Sequence, residues 1–195
     1  MSSVFATSDF LLQNGINLAL VLGALGLVVA AWLIMRIKAA SPGNERMQEV
    51  AGAIQEGAKA YLNRQLAAVG TIAGVIFALL FAWKRTFAVP GGFLIGAVCS
   101  LIAGYIGMRI AVLANVRTTQ AASESEPKAL RVAFNGGAVT GLLVVGLALL
   151  SVGGFYLLMR GDSSPAAQHH AVDSLVGLAL GASLISVFAR LGGGI

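Results

Sequence analysis

The chain has 195 residues, of which 57% are hydrophobic and 11% charged, and a formal net charge of +5; its mean hydropathy is +0.86. A soluble domain carries about 25% charged residues, so the composition excludes one and points to a chain embedded in lipid. The positive balance does not indicate nucleic-acid binding, because the basic residues are spread through inter-helix segments instead of forming one face.

Five apolar blocks of membrane-spanning length follow one another, at 16–35, 66–83, 91–108, 132–159 and 172–195. They predict an all-α, polytopic membrane protein with five transmembrane helices. The four prolines, Pro42, Pro90, Pro127 and Pro165, fall one to each gap between blocks. Proline breaks the helical hydrogen-bond ladder, so this placement predicts uninterrupted helices between them. The first block is preceded by Asp9 with no Lys or Arg before it, so it is not expected to be a cleaved leader. The single cysteine, Cys99, sits within the third block, so no intrachain disulfide is available.

Between the first two blocks lies a helix of a different kind, predicted over 44–65. Met47, Val50, Ala51, Ile54, Ala58, Tyr61 and Leu62 recur at three- and four-residue spacing, with Glu45, Glu49, Glu56, Lys59 and Arg64 on other faces. Asn44, after Pro42-Gly43, is placed to cap it. No proline separates it from the second block, so it can continue into that span. The third block is predicted to extend past Arg109 to about Ala122, before Ser123-Glu124-Ser125-Glu126-Pro127 ends it. Small residues recur four apart at Gly96, Ser100 and Gly104, at Gly137 and Gly141, and at Gly177 and Gly181. Such spacing lets helix backbones approach closely in lipid.

The basic residues set an orientation. Arg36, Lys38, Arg46, Lys59 and Arg64 belong to the first inter-span segment, and Arg109, Arg117, Lys128 and Arg131 to the third. The second and fourth hold only Lys84, Arg85 and Arg160. Nine against three places the first and third segments in the cytoplasm and the N-terminus outside.

Candidate chemistry is sparse. His169-His170 beside Asp173 are adjacent and point to different faces of any regular structure, which is poor metal-ligand geometry. Glu124, Glu126 and Lys128 fit a solvated turn, and Glu45, Glu49 and Glu56 an exposed helix face. No catalytic residue and no metal ligand is assigned.

Arg190 is the exception, a guanidinium roughly 22 Å along the fifth span. Burial there costs on the order of 2.5–3.5 kcal/mol or more unless a carboxylate or watery cavity offsets it. It is either a snorkelling end-marker or a fixed charge in an ion pathway. The following Gly192-Gly193-Gly194 favours backbone irregularity beside a ligand or a helix end.

These residues carry a resemblance. Asn44-Glu45-Arg46-Met47 with 53–65 (Ala53-Ile54-Gln55-Glu56-Gly57 through Gln65), the run from Gly92 through Met108 to Ala122, Phe134-Asn135-Gly136-Gly137, and Phe188-Ala189-Arg190-Leu191-Gly192-Gly193-Gly194-Ile195 resemble, in turn, the first cytoplasmic segment, the third helix, the fourth helix and the end of the fifth helix of membrane-bound, ion-translocating inorganic pyrophosphatases, while the N-terminal span is similar in character only. The resemblance implies that residues 1–195 are the N-terminal part of a single, larger membrane domain, typically a sixteen-helix bundle, assembled as a homodimer in a bacterial-type inner membrane. It implies hydrolysis of Mg-pyrophosphate coupled to outward transport of H⁺ or Na⁺. It assigns Arg190 to ion transport and Gly192, Gly193 and Gly194 to backbone beside the site. The family's metal-binding Asp- and Lys-rich stretch comes after this point, so the Mg²⁺ ligands are expected beyond Ile195 and the fragment alone is expected to be inactive. Two alternatives are a non-enzymatic five-helix assembly protein and part of a secondary transporter.

Overall fold

The computed structural model describes residues 2–159, 171, 172, 174–183 and 186. Four long helices run in order: α1 (Ser2–Ala39), α2 (Glu45–Lys84), α3 (Ala88–Glu124) and α4 (Glu126–Met159). A shorter apolar helix, α5, covers Ser174–Ser183. No strand occurs among the described residues, and all four long helices are long and apolar enough to cross a membrane.

The helix ends explain the connections. Asn44 accepts a hydrogen bond from the Met47 N–H at 2.9 Å, with Glu45 in the first turn at the positive end of the helix dipole. Gly43 occupies the left-handed region at φ 83°, which glycine adopts without steric cost. At the other end of α2, Arg85 turns left-handed (φ 47°) and its N–H bonds the Phe81 carbonyl. The Phe81 and Phe87 rings, 4.8 Å apart, close that hairpin. Between α3 and α4 a single extended residue, Ser125, suffices. Its N–H bonds the Ala121 carbonyl and its own carbonyl accepts from Ala129, while Lys128 bridges back to Glu124 at 2.8 Å.

One sequence reading is corrected here. Pro90 and Pro127 lie inside the first turns of α3 and α4 rather than in gaps; proline is tolerated there because those N–H groups have no intrahelical acceptor. Pro42 does lie in a loop, and Pro165 lies outside the described residues. The amphipathic stretch 44–65 and the span 66–83 form one unbroken helix. At 40 residues α2 is about 60 Å long, twice the roughly 30 Å hydrocarbon thickness, so its charged half protrudes. The C-terminal part of α3 accompanies it. Ala51 and Val116 are both buried, on either side of a shallow apolar groove lined by Met47, Val50, Ile54 and Val112.

α4 is the central helix, packed against both α1 and α3, while α2 leans on α3. The main core joins Ala30, Leu33 and Ile37 of α1, Ala103, Ile110 and Ala114 of α3, and Val139 and Leu143 of α4. Antiparallel α1 and α4 meet backbone to backbone: a Cβ on Gly146 would lie 3.0 Å from the Gly23 carbonyl and 2.8 Å from Leu27. Arg117 ties the same region together. It donates to the Leu113 carbonyl at 2.9 Å and to the Lys38 carbonyl at 3.5 Å, which neutralises the negative end of α1. Its buried Nε has no hydrogen-bond partner among the described residues.

Gly146→Val should therefore destabilise the bundle by about 1–3 kcal/mol through overpacking. Gly52→Ala, on the protruding half of α2 with open space around it, should stabilise by about 0.5–1 kcal/mol. Thermal unfolding of both variants in one detergent checks the opposite signs.

Candidate functional site

The residues singled out for ion transport and for backbone beside the site, Arg190, Gly192, Gly193 and Gly194, lie outside the described residues, as do Asp162, His169, His170 and Asp173. The structure does show how the segment leading to them is held.

α3 and α5 cross at a distance that only glycine permits. A Cβ on Gly92 would come 2.7 Å from the Ser174 carbonyl, and one on Gly96 would strike the Leu178 carbonyl. In return, Gly177 and Gly181 face the carbonyls of Val89 and Phe93 too closely for any side chain. Four glycines thus interlock two backbones, an arrangement favoured in lipid because tight packing, not apolar burial, holds helices together there. Phe93, Ala97 and Leu178 are buried around the crossing. Ser100 adds a directional bond, its hydroxyl donating to the Ala182 carbonyl at 3.3 Å. The anchored carbonyl lies eight residues before Arg190 in the chain.

The four-residue spacing marks packed glycines at Gly96, Gly177 and Gly181, but a Cβ on Gly137 or Gly141 would meet nothing within 4 Å. On α4 the packed glycines are Gly136, against Ala114, Gly146, against Gly23 and Leu27, and Gly153, against Leu20. Neither Gly23 nor Gly146 has a second glycine four positions away to announce the contact.

Beside the crossing, an open cleft of about 450 Å³ runs between α2, α3 and α4. Its walls are mostly apolar, with Gln65, Ser100, Tyr105, Thr140 and Ser186 contributing the polar groups. Thr140 fills the space over Gly107. No described residue of this cleft is acidic, so those residues lack the ligands of a hard cation.

The described acids lie elsewhere and apart. Glu49 pairs with Arg46 at 2.8 Å, and Glu124 with Lys128. At the α3–α4 turn, beyond the apolar block, the Lys128 ammonium holds the Glu124 carboxyl below its ordinary range through a hydrogen bond and direct attraction. Both pairs are exposed, the setting in which ion pairs contribute little to stability. No group of three metal-ligating side chains occurs among the described residues. Sequence reading counted Arg117 only as a basic residue of the third inter-span segment; its place between α1 and α3 could not be found without the fold.

Residues 24–195 match the family described as inorganic H⁺ pyrophosphatase. The chain is 48% identical over 174 residues to a K⁺-insensitive pyrophosphate-energized proton pump of Methanosarcina mazei, covering 89% of this chain and 24% of that protein. It is 41% identical over 173 residues to the K⁺-insensitive pyrophosphate-energized proton pump 2 of Moorella thermoacetica, covering 89% and 25%. A Clostridium tetani protein named as a putative K⁺-stimulated pyrophosphate-energized sodium pump is 40% identical over 187 residues, covering 94% and 26%. The chain thus spans about a quarter of the length of the curated relatives it matches.

At the crossing, Gly181→Val should detach α5 from α3 and lower the unfolding temperature markedly, because the intruding atoms meet backbone that cannot yield. Ser100→Ala should cost only about 0.5–1.5 kcal/mol, one net hydrogen bond. Ranking the two by thermal unfolding checks which contact dominates.

Proposed function

The chain belongs to the inorganic H⁺ pyrophosphatase family, and from that premise we propose that it forms the N-terminal part of the single membrane domain of a pyrophosphate-energised ion pump. The whole protein hydrolyses pyrophosphate and uses the released free energy to move H⁺ or Na⁺ across the membrane. The observation that carries this reading is the family match over residues 24–195 together with 48% identity to a proton pump. The alternatives of a non-enzymatic assembly protein and a secondary transporter have no comparable support.

In this reading the division of labour follows the chemistry. α1 to α4 are scaffold, α5 leads into the pathway, Arg190 supplies a fixed positive charge there, and Gly192, Gly193 and Gly194 allow irregular backbone beside the site. The guanidinium is permanently protonated, so it cannot carry the transported proton. Its role is electrostatic: it repels a cation arriving early and stabilises a carboxylate that must stay ionised.

Mg²⁺ is the cofactor that such hydrolysis calls for, neutralising the anionic phosphates and orienting them. The described residues do not fit that ion. Glu45, Glu49 and Glu56 lie on the protruding half of α2, Glu124 and Glu126 at the α3–α4 turn, and no three acids among the described residues converge. No step of hydrolysis is therefore assigned to them. The proposed assembly is a homodimer in a bacterial-type inner membrane. The N-terminus is outside, because nine basic residues mark the first and third inter-span segments as cytoplasmic.

For the whole protein, Arg190→Ala should leave the unfolding temperature within a few degrees of the parent while weakening pyrophosphate-driven ion accumulation in sealed vesicles by roughly tenfold or more, the loss of a buried charge interaction. Arg190→Lys should recover part of the loss. Unaltered accumulation in Arg190→Ala vesicles at equal protein content would reject the role.

A further inference from the structure

Next to the apolar cleft between α2, α3 and α4, a second cavity of about 320 Å³ opens between α2 and α3 and shares Leu62 and Tyr105 with it. The two follow one stripe on each helix. On α2 the lining steps from Glu56 and Lys59 to Leu62, Leu66 and Val69, at three- and four-residue spacing. On α3 it steps from Leu113 and Arg109 to Tyr105 and Leu101, four residues at a time. Both stripes turn from charged to apolar at one level, where the block 66–83 begins and the block 91–108 ends. The joined cavities therefore have a charged mouth and an apolar interior.

Their depth is limited. Val69 packs against Ala97, with Ala73 and Leu101 beside them, and this contact seals α2 against α3 beyond the cleft. Lys59 and Val69 are ten residues apart, about 15 Å along the helix. That is half of the roughly 30 Å hydrocarbon thickness. A spanning helix needs the whole thickness, whereas a lipid of one leaflet needs half.

The mouth carries two cations and one acid. Glu56, Lys59 and Arg109 are exposed. The two ion pairs among the described residues, Arg46 with Glu49 and Lys128 with Glu124, involve none of the three. The Arg109 guanidinium lies 5.6 Å from the Tyr105 ring, a cation–π contact that holds the charge at the boundary without cancelling it.

We propose that the joined cavities hold one phospholipid of the leaflet on the basic side, with phosphatidylethanolamine the preferred headgroup. Lys59 and Arg109 take the phosphate, Glu56 takes the ammonium, and an acyl chain lies along Leu62, Leu66 and Val69. Basic pockets between membrane helices suit lipid phosphates, and Glu56 adds a selection among headgroups. A primary ammonium donates hydrogen bonds to a carboxylate, a quaternary choline donates none, and a glycerol headgroup brings no cation. Inorganic phosphate matches the two cations but leaves the apolar half empty.

The test uses the whole protein in nanodiscs of phosphatidylcholine with equal minor shares of phosphatidylethanolamine and phosphatidylglycerol, counting retained lipid by native mass spectrometry. The parent should retain phosphatidylethanolamine in preference to the other two. Lys59→Ala with Arg109→Ala should lower that retention by about fivefold for each cation removed. Glu56→Gln should keep a bound lipid but favour phosphatidylglycerol. Arg46→Ala, whose side chain pairs with Glu49 away from the cleft, should change neither. These substitutions replace exposed side chains, so every variant should elute and unfold as the parent does. The proposal is overturned if the double variant keeps the parent's retention, or if Glu56→Gln leaves the headgroup preference as it was. It is equally overturned if phosphatidylcholine is retained as well as phosphatidylethanolamine, if millimolar inorganic phosphate displaces the lipid, or if the parent retains none because another helix of the whole protein fills the cleft.

Discussion

The arrangement rests on backbone contact at glycine. Inside a bilayer an apolar side chain gains little by touching another helix, since lipid tails are equally apolar, and association depends on how closely main chains can approach. Two crossings in this chain meet that demand. Gly23 and Gly146 bring α1 onto α4, and Gly92, Gly96, Gly177 and Gly181 lock α5 against α3. With α4 also seated on α3 through Gly136 and Gly107, three helices and the short fifth segment form one packed block. α2 has no such contact. Its glycines Gly52, Gly57, Gly70 and Gly74 face open space, and it rests on α3 through Val69 and Ala97 with Ala73 and Leu101.

This contrast bears on function. An element that must hold a charge at a fixed depth needs support that cannot slide. A backbone-to-backbone crossing with a serine hydroxyl on the Ala182 carbonyl fixes register better than interdigitated leucines, whose rotamers can hop. The support lies just upstream of the stretch carrying Arg190, where the role proposed for that residue calls for it. α2, by contrast, is a long lever whose charged half stands clear of the hydrocarbon.

Much of this was legible in the sequence, for identifiable reasons. The apolar blocks established the helical membrane class, because a chain in lipid must satisfy its backbone internally. Asn44 was recognisable as a cap because Pro42-Gly43 precedes it and an amphipathic helix follows. The packed pair Gly177 and Gly181 showed in its four-residue spacing. Other features were hidden. Pro90 and Pro127 read as gap residues, since sequence alone does not separate the turn before a helix from the first turn within it. Gly137 and Gly141 have the same spacing as the packed pairs yet face open space, because spacing identifies a face without naming its neighbour. Arg117 looked like one more loop cation until α1 ended beside it.

Positive residues on one side of the membrane are usually read as a topology signal alone, but a topology signal needs no particular geometry. Here Arg36 stacks on Trp32, Arg117 caps the end of α1, and Arg109 lies 5.6 Å from the Tyr105 ring. Each of these three guanidinium groups is held by an aromatic face or a carbonyl instead of a carboxylate, so its charge is positioned without being cancelled. Uncancelled positive charge at the edge of the hydrocarbon is costly in self-repulsion and is relieved by anions.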